Sequence, residues 1–166
     1  MIPVLIIITI VSILSLAFYI SYSKIAEIKN KIIFIEKNIN EYLEIKCDCV
    51  NKINKETKDK LDKKNYFKDY INLQKKNLTN IELDIKLDDA FKLIKELKND
   101  IPEIKTKEFN KIYKELKNTN EKLFSSKKLY NKYASISNQT IRKFPNNIIA
   151  KIIKYNIRAF YNIKEK

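Results

Sequence analysis

Glycine and histidine are missing altogether from this chain of 166 residues, which holds three Pro, two Cys and one Met. Without glycine there is no dinucleotide-binding fingerprint, no P-loop and few tight hairpin turns, because each needs a residue free of a Cβ. Without histidine the chain lacks the side chain that titrates near neutral pH unaided, and with it the commonest imidazole ligand of metals. No triad or metal cluster can be assembled from what remains. The expectation is therefore no catalytic residue, no metal ligand and no cofactor, and a protein that is not an enzyme. Cys47 and Cys49 lie two positions apart, which on a helix sends them to nearly opposite sides, one packed and one exposed. The Asp88-Asp89 pair, read at a helix start, is assigned to the helix dipole.

Against these absences stands a run from Ile2 to Ile20, nineteen residues without a charge. As a helix rising about 1.5 Å per residue it covers roughly 28 Å, close to the roughly 30 Å hydrocarbon core of a bilayer. Ile2, Ile10, Leu14 and Ile20 are assigned to the span. Ser15-Leu16-Ala17 offers a signal-peptidase pattern, but no Lys or Arg precedes the run, so the basic leader of a signal peptide is missing. A buried core helix of this length would carry a polar stripe. An uncleaved anchor over residues 1–22 is the expectation, with a cytoplasmic domain over 23–166. Lys24, Lys29, Lys31 and Lys37 follow the run closely, which by the positive-inside rule leaves the N-terminus outside and the C-terminal domain in the cytoplasm. Tyr19 and Tyr22 suit the membrane interface. Pro3 falls in the first turn, where a missing N–H is tolerated.

The formal charge of +14 lies beyond the anchor. It suits anionic lipid headgroups, nucleic acid or acidic protein surfaces, but the favoured reading is a solvated Lys-rich surface, because Asp and Glu are interspersed with the Lys throughout.

Apolar periodicity marks the helices. Lys24 to about Lys60 continues the anchor, with Ile28, Ile32, Ile35, Ile39, Tyr42 or Leu43, Cys49 or Val50, and Ile53 at steps of three and four. Residues 59–80 are less regular and read as helical, with Leu61, Phe67, Tyr70, Ile71 and Leu78 inward. Thr79-Asn80-Ile81-Glu82 has the form of a capping box and opens a second helix carrying Leu83, Leu87, Ala90 or Phe91, Ile94 and Leu97. Pro102 ends it. A long third helix from about Lys105 shows Phe109, Ile112, Leu116, Leu123, Tyr130, Ala134 and Ile141 along one side and stops before Phe144-Pro145. A final helix over roughly 147–156 carries Ile148, Ile149, Ile152 and Ile153.

Asn120, Lys127, Asn131 and Asn138 form a narrow polar strip on the third helix, at i, i+7, i+11 and i+18. One reading is a partly exposed flank. The other is a row of interhelical hydrogen bonds that sets register, with Asp48 as one acidic partner.

The segment Leu123-Phe124-Ser125-Ser126-Lys127-Lys128-Leu129-Tyr130-Asn131, continuing through Ala134 and Asn138 to Ile141-Arg142-Lys143-Phe144-Pro145, resembles the signature of the LemA family. Asn147 to Ala150, Ile101 to Lys105 with Pro102, and Asn30, Ile39, Leu43, Lys46 and Asp48 also fall in that family's register. The resemblance covers nearly the whole chain except its middle. Departures from the family pattern are Ile45-Lys46 for a basic pair, Asn51 for Pro, Lys127 for Arg, Ser137 for an aromatic residue, and Asn120-Glu121 in swapped order. The resemblance implies an all-α fold: an N-terminal transmembrane helix continuing into an elongated antiparallel helical bundle that faces the cytoplasm. Its motif residues here are Asp48, Pro102, Lys127, Tyr130, Asn131, Asn138, Phe144 and Pro145. The function expected is a non-catalytic scaffold or adaptor at the inner membrane face; the alternative is an electrostatic binder of anionic lipid or nucleic acid. Expected partners are the bilayer, through the anchor, and membrane or cytoplasmic proteins. Nucleic acid is less favoured, and a homo-oligomer is left open.

Overall fold

No glycine or proline interrupts the chain between Pro3 and Thr57, and this stretch forms one helix, α1, Ile2–Thr57. The computed structural model describes residues 1–61 and 66–163, and among these there are four α-helices and no strand. After α1 come α2, Asn80–Asp100, α3, Lys107–Thr140, and α4, Asn146–Ile152. The described residues adopt the all-α, bundle-like architecture that the family resemblance implies.

The ends of the helices follow local chemistry. Thr79 and Glu82 close a capping box at the start of α2, each side chain taking the other's free backbone N–H. At the far end Pro102 opens a short 3-10 turn, Pro102–Ile104, directly after α2 stops. Thr106 then caps α3, its Oγ1 accepting the Phe109 amide at 3.1 Å.

The chain forms two compact units, Met1–Glu36 with Lys128–Lys166, and Lys37–Lys127. In the first, the apolar run stands exposed along its length, while Ile25, Ile28, Ile32 and Ile35 behind it are buried. Its hydroxyls are satisfied within the helix: Thr9 donates to the Leu5 carbonyl and Ser12 to that of Ile8, both at 2.8 Å. Ile25 joins Ile141, Ile149, Ala150 and Tyr155 in one cluster, with Phe18 packed against it.

In the second unit Ile39, Leu43, Val50 and Ile53 of α1, Leu87, Ala90 and Ile94 of α2, and Phe109, Ile112 and Leu116 of α3 are all buried. Tyr113 lies stacked against both Phe91 and Phe109, with ring centroids 6.2 and 6.0 Å away. The Lys98 ammonium sits 4.0 Å from the Tyr113 centroid.

Three expectations are corrected. Residues 59–80 are not a helix: where described, they are turns with one short 3-10 turn, Leu73–Lys75, and residues 62–65 of that expectation lie outside the described residues. Asn72 turns the backbone at φ 54°, a left-handed conformation that asparagine tolerates and a helix does not. Leu61, Phe67 and Leu73 are buried, whereas Tyr70, Ile71 and Leu78 are half-buried.

Cys47 and Cys49 are both buried, not one packed and one exposed. Next to Cys47 on α1 the irregular segment is tied down, Gln74 donating to Asp48 Oδ1 at 3.1 Å and the Asn72 amide to Asn51 Oδ1 at 3.1 Å. Cys49 faces the Glu115 side of α3.

The final helix is shorter than expected. It ends at Ile152, and of its apolar residues Ile149 and Ala150 are buried while Ile148, Ile152 and Ile153 are exposed.

Candidate functional site

Helix periodicity places Lys46 three residues after Leu43 and four before Val50, a position in the buried stripe of α1. Its side chain is fully buried. The ammonium donates to Asp88 Oδ1 of α2 at 2.7 Å and to Asn120 Oδ1 of α3 at 2.9 Å. Lys127 occupies the matching place in the stripe of α3, between Leu123 and Tyr130. It donates to both oxygens of Asp84, at 3.1 and 2.8 Å, and lies 3.7 Å from Asp88 Oδ2. Two cations, two carboxylates and one amide thus tie three helices together within the Lys37–Lys127 unit.

Electrostatically the cluster sums to zero when all four groups are ionised. Burial holds the Lys46 pKa below the ordinary lysine value, against the upward pull of Asp88. Burial likewise raises the Asp84 carboxyl above the usual range, against its hydrogen bond and attraction to Lys127. Desolvation is thus the larger cause in both groups, the expected result for ion pairs withdrawn from water. Lys46, Asp84 and Lys127 are buried, whereas Asp88 keeps 42% of its side chain exposed. Among the described residues no three His, Cys, Asp or Glu side chains gather into a metal-holding set.

The two remaining members of the strip lie in the other unit and grip the chain's C-terminal tail. Asn131 accepts the Tyr161 amide at 2.9 Å and donates to the Tyr161 carbonyl at 2.8 Å. Asn138 does the same with Arg158, at 2.8 and 2.9 Å. The spacing has a simple basis: seven residues of α-helix rise about 10.5 Å, and three residues of extended chain span about 10 Å. Two asparagines at i and i+7 therefore match two backbone amides three residues apart. Beside these grips Tyr130 packs edge-on against Tyr161, centroids 5.0 Å apart, and the Ser137 hydroxyl donates to the Tyr155 hydroxyl at 3.0 Å. Arg158 pairs with Glu36 at 3.1 Å.

Each motif residue can now be placed. Lys127 and Asn120 engage other helices, as the register reading expected, but Asn131 and Asn138 engage the tail. Asp48 is exposed, bonds Gln74 and is not the acidic partner of the strip; that role falls to Asp84 and Asp88. Nor does Asp88 serve a helix start, since α2 begins eight residues earlier and Asp88 faces Lys46. Pro102 opens its 3-10 turn, Phe144 is exposed, and the bond between Phe144 and Pro145 is cis. Ile2, Ile10, Leu14 and Ile20 are exposed. The sequence reading does not name Asp84, Glu36, Tyr155 or Tyr161, and it assigns Asp88 to the helix dipole instead of to Lys46. Asp84 had a detectable signal, because it sits three residues before Leu87 in the buried stripe where Leu83 was preferred.

The LemA family model matches residues 36–166. The chain belongs to the LemA family. The match takes in all five members of the buried cluster and both tail grips, and it begins after the apolar run of α1. No curated protein and no solved structure matches the chain. Within this LemA chain the motif's Lys127 joins helices in one unit and its Asn131 and Asn138 hold the tail in the other, while Asp48 stays exposed and bonds Gln74.

Proposed function

We propose that this LemA-family chain is a single-pass membrane protein, anchored by residues 1–22, whose domain over 23–166 serves as a non-catalytic scaffold for protein partners at the inner membrane face. The observation that carries the anchor is the Ile2–Ile20 run, which has the length and composition to cross a bilayer and buries almost none of its surface against the rest of the chain. The four lysines that follow support a cytoplasmic domain and an external N-terminus.

The scaffold reading rests on what the polar groups do. The buried cations and amides of the family motif are consumed by contacts inside the protein, which leaves the exposed faces for recognition. Phe34 and Ile33 are exposed apolar residues on α1 beyond the apolar run, and Ile85 is one on α2.

Photo-crosslinking tests this. A photoreactive residue at Phe34 or Ile85, activated in intact membranes, is expected to capture a discrete set of proteins. Capture indistinguishable from that of a reporter on an unrelated anchored helix would end the scaffold reading. Protease added outside intact cells is expected to spare the domain, and digestion of the domain there would reverse the orientation.

A further inference from the structure

Acidic residues do not accompany the lysines throughout this chain. Between Glu121 and Glu165 there are ten Lys or Arg and no Asp or Glu. This stretch includes α4 and the loop before it, in the same compact unit as the apolar run. The described acidic side chains of that unit are Glu27 and Glu36, and both are engaged, Glu27 by Lys31 at 2.6 Å and Glu36 by Arg158.

Contacts within the unit fix the level at which α4 sits. The Lys31 ammonium lies over the Tyr133 ring, and Ile25 clusters with Ile141. Residue numbers therefore rise along α3 as they fall along α1, and the end of α3 points toward the apolar run. The Arg142–Pro145 loop lies past that end, and α4 returns to seat Ile149 and Ala150 in the cluster with Ile25, against which Phe18 packs. Phe18 belongs to the apolar run itself. The loop and α4 thus flank α1 where its uncharged stretch gives way to Lys24.

At this level the unit presents apolar side chains with nothing over them. Phe144 is 76% exposed, Ile152 68% and Ile157 59%. They are interleaved with the exposed cations Arg142, Lys143, Lys151 and Lys154. Apolar side chains beside lysines, with no carboxylate among them, are the composition that binds the boundary between headgroups and acyl chains.

We infer that the Arg142–Pro145 loop and α4 form a second membrane contact, in which Phe144 and Ile152 enter the headgroup boundary of an anionic bilayer while Arg142, Lys143, Lys151 and Lys154 pair with lipid phosphates. The inference rests on the anchor proposed above. The contact turns a single pivot into two points of attachment and sets the angle at which α1 leaves the membrane.

The chain contains no Trp, so single introduced tryptophans report their own depth. The full-length variants Phe144→Trp, Ile152→Trp, Ile10→Trp and Phe34→Trp would be placed in nanodiscs with nitroxide quenchers at the headgroup or at the acyl-chain centre. Ile10→Trp is expected to be quenched from the centre, Phe144→Trp and Ile152→Trp from the headgroup, and Phe34→Trp from neither. The headgroup quenching is expected to be stronger with anionic than with zwitterionic lipid. It should weaken in the combined variant Arg142→Gln, Lys143→Gln, Lys151→Gln, Lys154→Gln. Quenching at Ile10→Trp without any at Phe144→Trp and Ile152→Trp overturns the second contact and leaves the anchor standing. Such a result assigns the apolar face to a protein or to a second copy of the chain. Absence of quenching at Ile10→Trp removes the anchor and the contact together. Quenching indifferent to lipid charge and to the four substitutions overturns the pairing with phosphates.

Discussion

Lys46 and Lys127 stand where leucine would complete the apolar stripes of α1 and α3, and their cost is met only because Asp84, Asp88 and Asn120 arrive from other helices. Removing one partner leaves a buried charge alone. Lys127→Met is therefore expected to lower unfolding stability by about 3 kcal/mol, while Lys127→Met combined with Asp84→Leu should recover most of that loss, as replacement of a whole buried pair often does. Urea titration of the single and double variants measures both. The thiols give a second residue-level expectation. Burial is the largest cause pushing Cys47 and Cys49 up from 9.0 to about 11. At pH 8 both should react with a thiol reagent far more slowly in the folded than in the urea-unfolded protein. The folded state then holds protons that the unfolded chain releases from pH 9.0 upward. The wild type should accordingly lose stability relative to Cys47→Ala/Cys49→Ala as pH rises from 9.0 to about 11. At this scale the stripe positions of Lys46 and Asp84 were legible as places, but their partners were not. Periodicity reports which side of a helix a residue occupies and nothing about what faces it.

The helices themselves were the most legible elements. Their apolar steps, the Thr79–Glu82 box and Pro102 are local signals, and α1, α2 and α3 follow them closely. The segment after α1 was misread because it has neither a period nor glycine to mark its turns; Asn72 takes the left-handed position that glycine would ordinarily announce. The tail was also invisible, since an extended chain held by side-chain amides has no pattern of its own. Asn138→Ala removes both hydrogen bonds to Arg158, each worth about 1 kcal/mol. It should speed hydrogen exchange at the Arg158 amide far more than at amides in the middle of α3, and Asn131→Ala should do the same at Tyr161. Unchanged protection at those amides would show that the tail is held by its aromatic and ionic contacts instead.

For the molecule as a whole, the exposed run at the start of α1 has the length and composition to cross a bilayer, and the proposed anchor can be tested there. A charge at its centre carries a penalty of about 3 kcal/mol for insertion. Ile10→Lys or Leu14→Lys is therefore expected to shift the chain from the carbonate-resistant membrane fraction toward the soluble fraction, whereas Lys24→Gln should leave its fractionation unchanged. Equal retention of all three variants would show that the run does not lie in hydrocarbon.

The sequence by itself determined that this chain is helical and where α2 begins and ends, through the Thr79–Glu82 box and Pro102. It also located the uncharged run and the motif that marks the LemA family. These are properties of neighbouring residues, set by backbone propensity, by apolar steps of three and four and by the absence of glycine. Only the tertiary structure decided that Lys46 meets Asp88, that Lys127 meets Asp84, that both thiols are covered, and that Asn131 and Asn138 hold a tail rather than a helix. A buried charge or amide takes whichever partner the packing brings within about 3 Å, and that distance is set between segments tens of residues apart.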